Sequence, residues 1–208
     1  MLEQQIEQHF IESADLNYQT GPALAKPIAQ ATQALLTCVT GGGKVLACGS
    51  GVSGLLAAQF AAYFVDGFER ERPGLAAIAL TSEAADQTAD TPDTVQSERF
   101  ARNVYALGQA GDVLLVLGVN GQNTALAAAI QAAHERDMSI IALLGNAHKG
   151  TLAQCLRETD VQMSVAHERA MRVHEIHQLI LHCLCDGVDL LLLGEPEGNG
   201  VRTAEGSA

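Results

Sequence analysis

The sequence predicts an α/β fold in which a five-stranded parallel sheet is covered by helices on both faces. After residue 43, short apolar segments alternate with longer amphipathic segments. This alternation is typical of parallel strands joined by helices that pack on the sheet. Two of the apolar segments also end in glycine-rich turns, which is where such sheets bind ligands.

Two helices are predicted before the first strand, at 2–19 and 22–41. The break is placed at Thr20-Gly21-Pro22, because proline is common in the first turn of a helix. After that, strands are expected near 44–48, 76–81, 112–117, 139–144 and 160–164, and helices near 53–68, 94–108, 122–136 and 167–193. The polar segment 82–93 is either a loop over the ligand crevice or a solvated connector.

The long C-terminal helix is apolar around more of its circumference than a surface helix, so it needs cover on several sides. The leading helices, within 1–43, have no sheet partner in the alternating pattern. Together these features predict a homo-oligomer that packs through helices. One domain therefore covers 1–193, and the Gly- and Glu-rich segment 194–208 is expected to be a disordered tail.

Composition excludes several functions. The net charge is −12 and the 12 Lys and Arg residues are scattered, so no direct nucleic-acid partner is expected. The N-terminal segment is polar and acidic, unlike a signal peptide, and no apolar run reaches the roughly 18 residues that span a bilayer. We therefore expect no membrane association. Five cysteines without a CxxC pair favour reduced thiols in the cytoplasm.

Each of the two glycine-rich turns, Gly49–Gly54 and Gly118–Asn123, follows a predicted strand and precedes a predicted helix. Backbone N–H groups and a helix N-terminus at such a turn favour an anion, typically phosphate. The first turn also fits GxGxxG, with Glu83 near the end of the second predicted strand. A dinucleotide site is the weaker interpretation, because this strand follows two helices and a lone GxGxxG is common.

The C-terminal helix carries polar residues at helical spacing, among them His174 and His182, which are eight residues apart. The segment His174–Gln178 nearly matches the zinc motif HExxH, but Gln178 stands where the second histidine is required. The two histidines are thus either hydrogen-bonded core or interface residues, or ligands of a zinc site that needs a further donor.

Residues 1–193 resemble the sugar isomerase (SIS) domain family. Five segments carry the likeness: Cys48–Ser53, Phe68–Leu80, Ala106–Leu115, Arg172–His177 and Cys183–Asp189. Two branches are most similar, the phosphoheptose isomerases and the proteins that associate with the replication initiator DnaA; the last segment is more like the second branch. The resemblance implies a Rossmann-like sheet and a homotetramer with sugar-phosphate crevices near subunit boundaries.

The resemblance also assigns candidate catalytic residues. Gln59 and Tyr63 stand where the isomerases have a histidine and a catalytic glutamate, and His174 replaces a glutamine while His182 is retained. A tyrosine cannot act as the carboxylate base of an isomerase. His182 and His174 are therefore the candidate catalytic residues if the protein is active, and His174, His182 and Gln59 are the candidate ligands of a possible zinc ion.

The candidate phosphate- and sugar-binding site also differs from that of the family. The family has Ser-Thr-Ser-Gly-Asn-Ser in the second turn, where this chain keeps only Gly121 outright and has no hydroxyl. Losing several hydrogen bonds of about 1 kcal/mol each weakens phosphate binding unless amides compensate. The candidate phosphate- and sugar-binding residues are Ser50, Gly51, Ser53, Asn120, Gly121, Asn123 and Asp93.

These departures predict a non-catalytic homotetrameric regulator that resembles the DnaA-associating branch. Leu192 and Leu193 correspond to its partner-binding surface, although they could equally be interface or core residues. The alternative is a phosphoheptose isomerase-like enzyme with a rebuilt site, acting on sedoheptulose 7-phosphate. A third possibility is a sensor that binds a sugar phosphate without converting it.

Overall fold

The computed structural model describes residues 1–80, 93–146 and 150–195, without the side chains of 93–96. The strands are β1 Val45–Gly49, β2 Ala77–Leu80, β3 Val113–Gly118, β4 Ser139–Gly145 and β5 Val161–Val165. The helices are α1 Leu2–Thr40, α2 Val52–Asp66, α3 Asp93–Leu107, α4 Thr124–Glu135 and α5 Ala170–Leu193. Within the described chain all five strands are parallel, in the order β2-β1-β3-β4-β5. The predicted α/β fold is therefore confirmed, and only Asp93 of the segment 82–93 lies among the described residues.

The two predicted leading helices are one continuous helix, α1, which runs through Pro22 and Pro27. The predicted break at 20–22 is wrong. Proline removes a hydrogen bond inside a helix and usually kinks or ends it. Here α1 buries residues on both sides of the prolines, including Leu16 and Leu35, in the core cluster that also contains α5. This tertiary packing outweighs the local preference for a break.

Two apolar layers cover the sheet. One contains side chains of α1, α2 and α5, and the other contains side chains of α3 and α4. At the amino end of the sheet, the buried Asp112 carboxylate accepts hydrogen bonds from the backbone N–H groups of Lys44 and Gln109, both at 2.9 Å, and pairs with Lys44 Nζ at 2.6 Å. This carboxylate thus fixes the starts of β1 and β3 relative to each other.

By length and composition alone, α5 is a helix that could cross a membrane, although its apolar residues are interrupted by polar ones. In this fold it packs against α1, α2 and β4. Ten of its residues are buried, including the polar Arg172, His177 and Asp189. Its apolar composition is that of a core helix covered on several sides.

A buried ion pair joins α2 to α5. Arg72 Nε lies 2.5 Å from Asp189 Oδ1, and the two side chains are only 1% and 2% exposed. The other nitrogens of Arg72 donate to the carbonyl oxygens of Phe64, at 2.8 Å, and Tyr63, at 3.1 Å. The guanidinium therefore satisfies the last carbonyl groups of α2 and also holds this end of α2 against α5.

We expect Asp189→Ala to lower the free energy of unfolding by about 3 kcal/mol, because it leaves the Arg72 charge buried without its partner. The measurement is denaturant unfolding followed by circular dichroism. The matched control is Arg102→Ala, which breaks an exposed pair with Glu98 at 3.4 Å and should cost less than about 1 kcal/mol. Equal effects of the two substitutions would contradict the role assigned to Arg72 and Asp189.

Candidate active site

The two glycine-rich turns meet at the point where the strand order reverses. From β1 the chain proceeds to β2 on one side, and from β3 it proceeds to β4 on the other. Ligands of open α/β sheets bind at this switch point, beyond the carboxyl ends of the strands. Ser50 follows β1, Asn123 follows β3, and Asn123 Nδ2 donates to Ser50 Oγ at 2.9 Å. The residues predicted to hold phosphate thus lie side by side.

Glycine is required in the first turn for steric reasons. A Cβ atom on Gly49 would lie 2.6 Å from the backbone of Ser53, and Gly51 has a φ of +59°. The tight turn leads directly into α2 and buries Ser53 in its first turn. The N-terminus of α2 therefore lies at the crevice with its unpaired N–H groups, an arrangement that favours an anion.

The second turn is also a tight glycine turn, but its polar side chains are amides. Gly121 has a φ of +64°, and a Cβ there would lie 2.9 Å from the Cα of Gly150. Asn123 caps α4, because its Oδ1 accepts from the backbone N–H of Leu126 at 3.1 Å. Asn120 is exposed. The backbone of Asp93 begins α3, but its side chain lies outside the described residues, so the predicted role of Asp93 stays a prediction.

Helices α2 and α5 lie alongside each other and run in the same direction. Ser53 Oγ is 3.2 Å from His174 Nε2 near the start of both helices. Ten residues further along α2, the Tyr63 ring lies 5.8 Å from that of His182, eight residues further along α5. The structure therefore brings His174 and His182 to one groove, separated by about 12 Å along the helix axis.

The far end of this groove contains an aromatic cluster with two polar groups. The His182 ring lies 5.3 Å from that of Phe68, and the ring of Tyr63, which belongs to α2, packs against both. Gln59 Nε2 donates to the Tyr63 hydroxyl at 2.7 Å. His182 Nε2 is buried and has no hydrogen-bond partner among the described residues. The Tyr63 hydroxyl and this imidazole are both groups that can take part in acid–base chemistry.

The histidines of α5 differ in environment. Burial lowers the pKa of half-buried His174 below its usual value, which favours the neutral imidazole. Burial, helped by nearby His174, lowers the pKa of His177 to about 3. His177 is fully enclosed, so it is a neutral core residue, whereas His174 and His182 are both partly accessible.

The ligands for a predicted zinc ion are incomplete. Glu175 of the near-HExxH segment pairs with Arg172, at 2.5 and 2.7 Å, and accepts from Ser13 Oγ at 2.9 Å, so its carboxylate is already used at the α1–α5 contact. In the part of the chain that the structure describes, no three His, Cys, Asp or Glu side chains converge. A catalytic zinc site has three such protein ligands, of which the predicted set of His174, His182 and Gln59 supplies two, so the zinc site stays a prediction that needs a further donor.

Other candidate residues have mixed environments. Leu192 is half-buried and packs on the core, whereas Leu193 is 42% exposed, so only the second is available as a partner surface. All five cysteines are free.

Sequence reasoning missed Arg99, whose Nη2 donates to Ser50 Oγ at 3.1 Å. An arginine in an amphipathic helix is usually solvated, and nothing local in the sequence shows that it reaches the first turn.

The fold and the site define a doubly wound α/β protein with an anion-favouring crevice at its switch point. A model of the SIS domain family matches residues 8–145, and the chain belongs to this family. The predicted resemblance is thereby confirmed.

Several of the similar proteins are isomerases by name. The chain is 53% identical over 197 residues to the phosphoheptose isomerase of Methylibium petroleiphilum, which covers 95% of this chain and 98% of that protein. It is 43% identical to the phosphoheptose isomerase of Azoarcus sp., over 92% and 97% of the two chains. The structure is similar to that of phosphoheptose isomerase GmhA from Neisseria gonorrhoeae, with a TM-score of 0.82 and 38% identity over 91% and 99% of the two chains.

The expectation of a non-catalytic regulator is therefore wrong. It depended on the missing carboxylate at Tyr63, yet relatives that match almost the whole chain at 43% and 53% identity are phosphoheptose isomerases. The structure shows why one missing carboxylate is a weak argument against catalysis. Two imidazoles and a tyrosine hydroxyl remain in the groove between α2 and α5.

The environment of His177 makes stability depend on pH. Its pKa is about 3 in the folded chain and about 6.5 when unfolded, so below pH 6.5 the unfolded chain binds a proton that the folded chain excludes. Stability is therefore lost as the pH falls from 6.5 towards 3. Between pH 6.5 and 5 we expect the wild type to lose about 2 kcal/mol more than His177→Leu, measured by denaturant unfolding. Parallel pH profiles would contradict this assignment.

Proposed function

We propose that the protein is a sugar-phosphate isomerase that interconverts sedoheptulose 7-phosphate and its aldose isomer. The observation that carries the proposal is the alignment of α2 and α5, which places His174, Tyr63 and His182 along one groove that begins at the glycine-rich turns. The similarity to phosphoheptose isomerases over nearly the full chain supports the same reaction class.

The reaction moves one proton between adjacent carbons and another between their oxygens. A base removes a proton from C1 of the ketose, and the electron pair forms a C1–C2 double bond while an acid protonates the C2 oxygen, giving an enediol. The C1 hydroxyl then loses its proton to become the aldehyde, and C2 receives a proton. Each step needs only positioned acids and bases.

The groove supplies these groups. His182 is assigned to the proton transfer at carbon, because its Nε2 has no partner among the described residues and it lies against Tyr63. The Tyr63 hydroxyl, which accepts from Gln59, has its own proton available for a substrate oxygen. His174 is assigned to binding and proton exchange at the sugar oxygens nearer the turns, since it contacts Ser53. No step is assigned to a zinc ion.

The length of the groove favours a long sugar. The glycine-rich turns are the expected position of the phosphate, and His182 lies about 12 Å along α5 from His174. A substrate that carries its phosphate and its carbonyl at opposite ends of an extended chain can reach both places. This geometry favours a heptose 7-phosphate over a shorter sugar phosphate.

The proposed enzyme acts in the cytoplasm as a homotetramer. Five free cysteines are consistent with a reducing cytoplasm. Self-association, as a homotetramer, is supported by exposed large apolar side chains on α1, which include Phe10 and Tyr18 at 75% and 88% exposure. An apolar groove of about 270 Å³ between α1 and α5 adds to this surface.

We expect His182→Ala to reduce the conversion of sedoheptulose 7-phosphate by about 10²- to 10⁴-fold, as measured by NMR, because an acid–base group is lost. The matched control is Cys183→Ser, which changes the adjacent, exposed position of α5 and should retain activity. Both assays are run with and without added zinc. Wild-type protein that converts nothing under either condition would refute the proposed function, and an active His182→Ala would refute the role of this residue.

A further inference from the structure

Ser50 has more donors around it than a turn serine requires. Its Oγ accepts from Asn123 Nδ2 at 2.9 Å and from Arg99 Nη2 at 3.1 Å. A hydroxyl oxygen has two lone pairs and one proton. Both lone pairs are therefore used, which leaves the Ser50 proton for a third partner. No such acceptor is found among the hydrogen bonds of the described residues.

Arg99 is incompletely satisfied as well. Its Nε is buried without a hydrogen-bond partner, and no carboxylate of the described chain forms an ion pair with it. The guanidinium is held over the Phe100 ring at 4.8 Å, which fixes its plane. Nε and Nη2 form one edge of the guanidinium, the fork that binds two oxygens of a phosphate or carboxylate. Of these two nitrogens only Nη2 has a hydrogen-bond partner among the described residues, the Ser50 hydroxyl.

An unpaired buried donor costs free energy, so the buried Arg99 Nε beside the Ser50 hydroxyl indicates a site for an acceptor. The position supports an anion. Ser50 and Asn123 lie on opposite sides of the switch point, between the N-termini of α2 and α4. In a chain with a net charge of −12, a dianion needs a local cation, and Arg99 provides one.

We propose that Arg99 binds the phosphate group of the substrate together with the Ser50 hydroxyl. The guanidinium fork donates to two phosphate oxygens, while Asn123 holds Ser50 in place. The identity of the sugar rests on the proposed function, but the phosphate contact itself does not.

The test is isothermal titration calorimetry of the full chain with sedoheptulose 7-phosphate and, separately, with inorganic phosphate. We expect Arg99→Gln to raise both dissociation constants about 10- to 100-fold, because a charged hydrogen-bonding partner is lost. The dissociation constants of Arg99→Lys should lie between those of the wild type and Arg99→Gln, since lysine keeps the charge but not the guanidinium fork. The matched control is Arg102→Gln, which removes an exposed arginine from the same helix and should leave both constants unchanged.

The outcomes separate this inference from the proposed function. Loss of phosphate affinity in Arg99→Gln supports the inference even if wild-type protein converts no sugar. Equal binding of phosphate by the wild type and Arg99→Gln overturns it even if the wild type is an active isomerase, and so does wild-type protein that binds no phosphate. If Arg99→Gln fails to fold in a thermal unfolding check, Ser50→Ala takes its place, with weaker phosphate binding expected and unchanged binding overturning the inference.

Discussion

The buried pair between Arg72 and Asp189 is the interaction on which the site depends most. Arg72 satisfies the last carbonyl groups of α2, and Asp189 belongs to α5. The pair therefore fixes one end of α2 against α5, while the contact between Ser53 and His174 joins their other ends. The groove that contains Tyr63 is held at both ends by these contacts. A buried charge pair is costly unless its geometry is good; here Arg72 also donates to backbone carbonyl groups, whereas Asp189 Oδ2 has no hydrogen-bond partner among the described residues.

The two ends of the groove have different chemistry for physical reasons. Near the turns, two helix N-termini and Arg99 provide positive potential for an anion. Further along α2 and α5, Phe68 and neighbouring rings surround His182, where hydrogen bonds and proton transfers are less weakened by water. Separation of a charged anchor from a partly enclosed acid–base centre is what an isomerase of a phosphorylated sugar requires.

The sequence predicted the sheet well, because buried parallel strands between amphipathic helices have a strong pattern. It predicted the meeting of the two turns for the same reason, since parallel topology brings strand ends to one edge. It failed at Pro22, where the packing of α1 on α5 outweighs the local preference of proline. Arg99 and Arg72 could not be predicted, because long side chains make contacts across the fold that spacing in the sequence does not show.

The functional error has a similar origin. The absence of a glutamate at position 63 predicts loss of catalysis only if no other group can move the proton, and any group with a suitable pKa and position can do so. The neighbourhood of Tyr63 depends on Gln59 from its own helix and His182 from α5, and the second of these contacts is a property of the fold. The substitution at Tyr63 is therefore weaker evidence about activity than the groups that surround this residue.

The most direct measurement is deuterium exchange into sedoheptulose 7-phosphate incubated in D₂O with stoichiometric protein, followed by proton NMR. Removal and return of a proton at the carbons next to the carbonyl introduces deuterium even when net conversion is slow. We expect loss of one of the two C1 proton signals of the ketose in the presence of the wild-type protein, and no loss without protein. Unchanged C1 signals after prolonged incubation with folded protein would contradict the assignment of this groove to isomerisation.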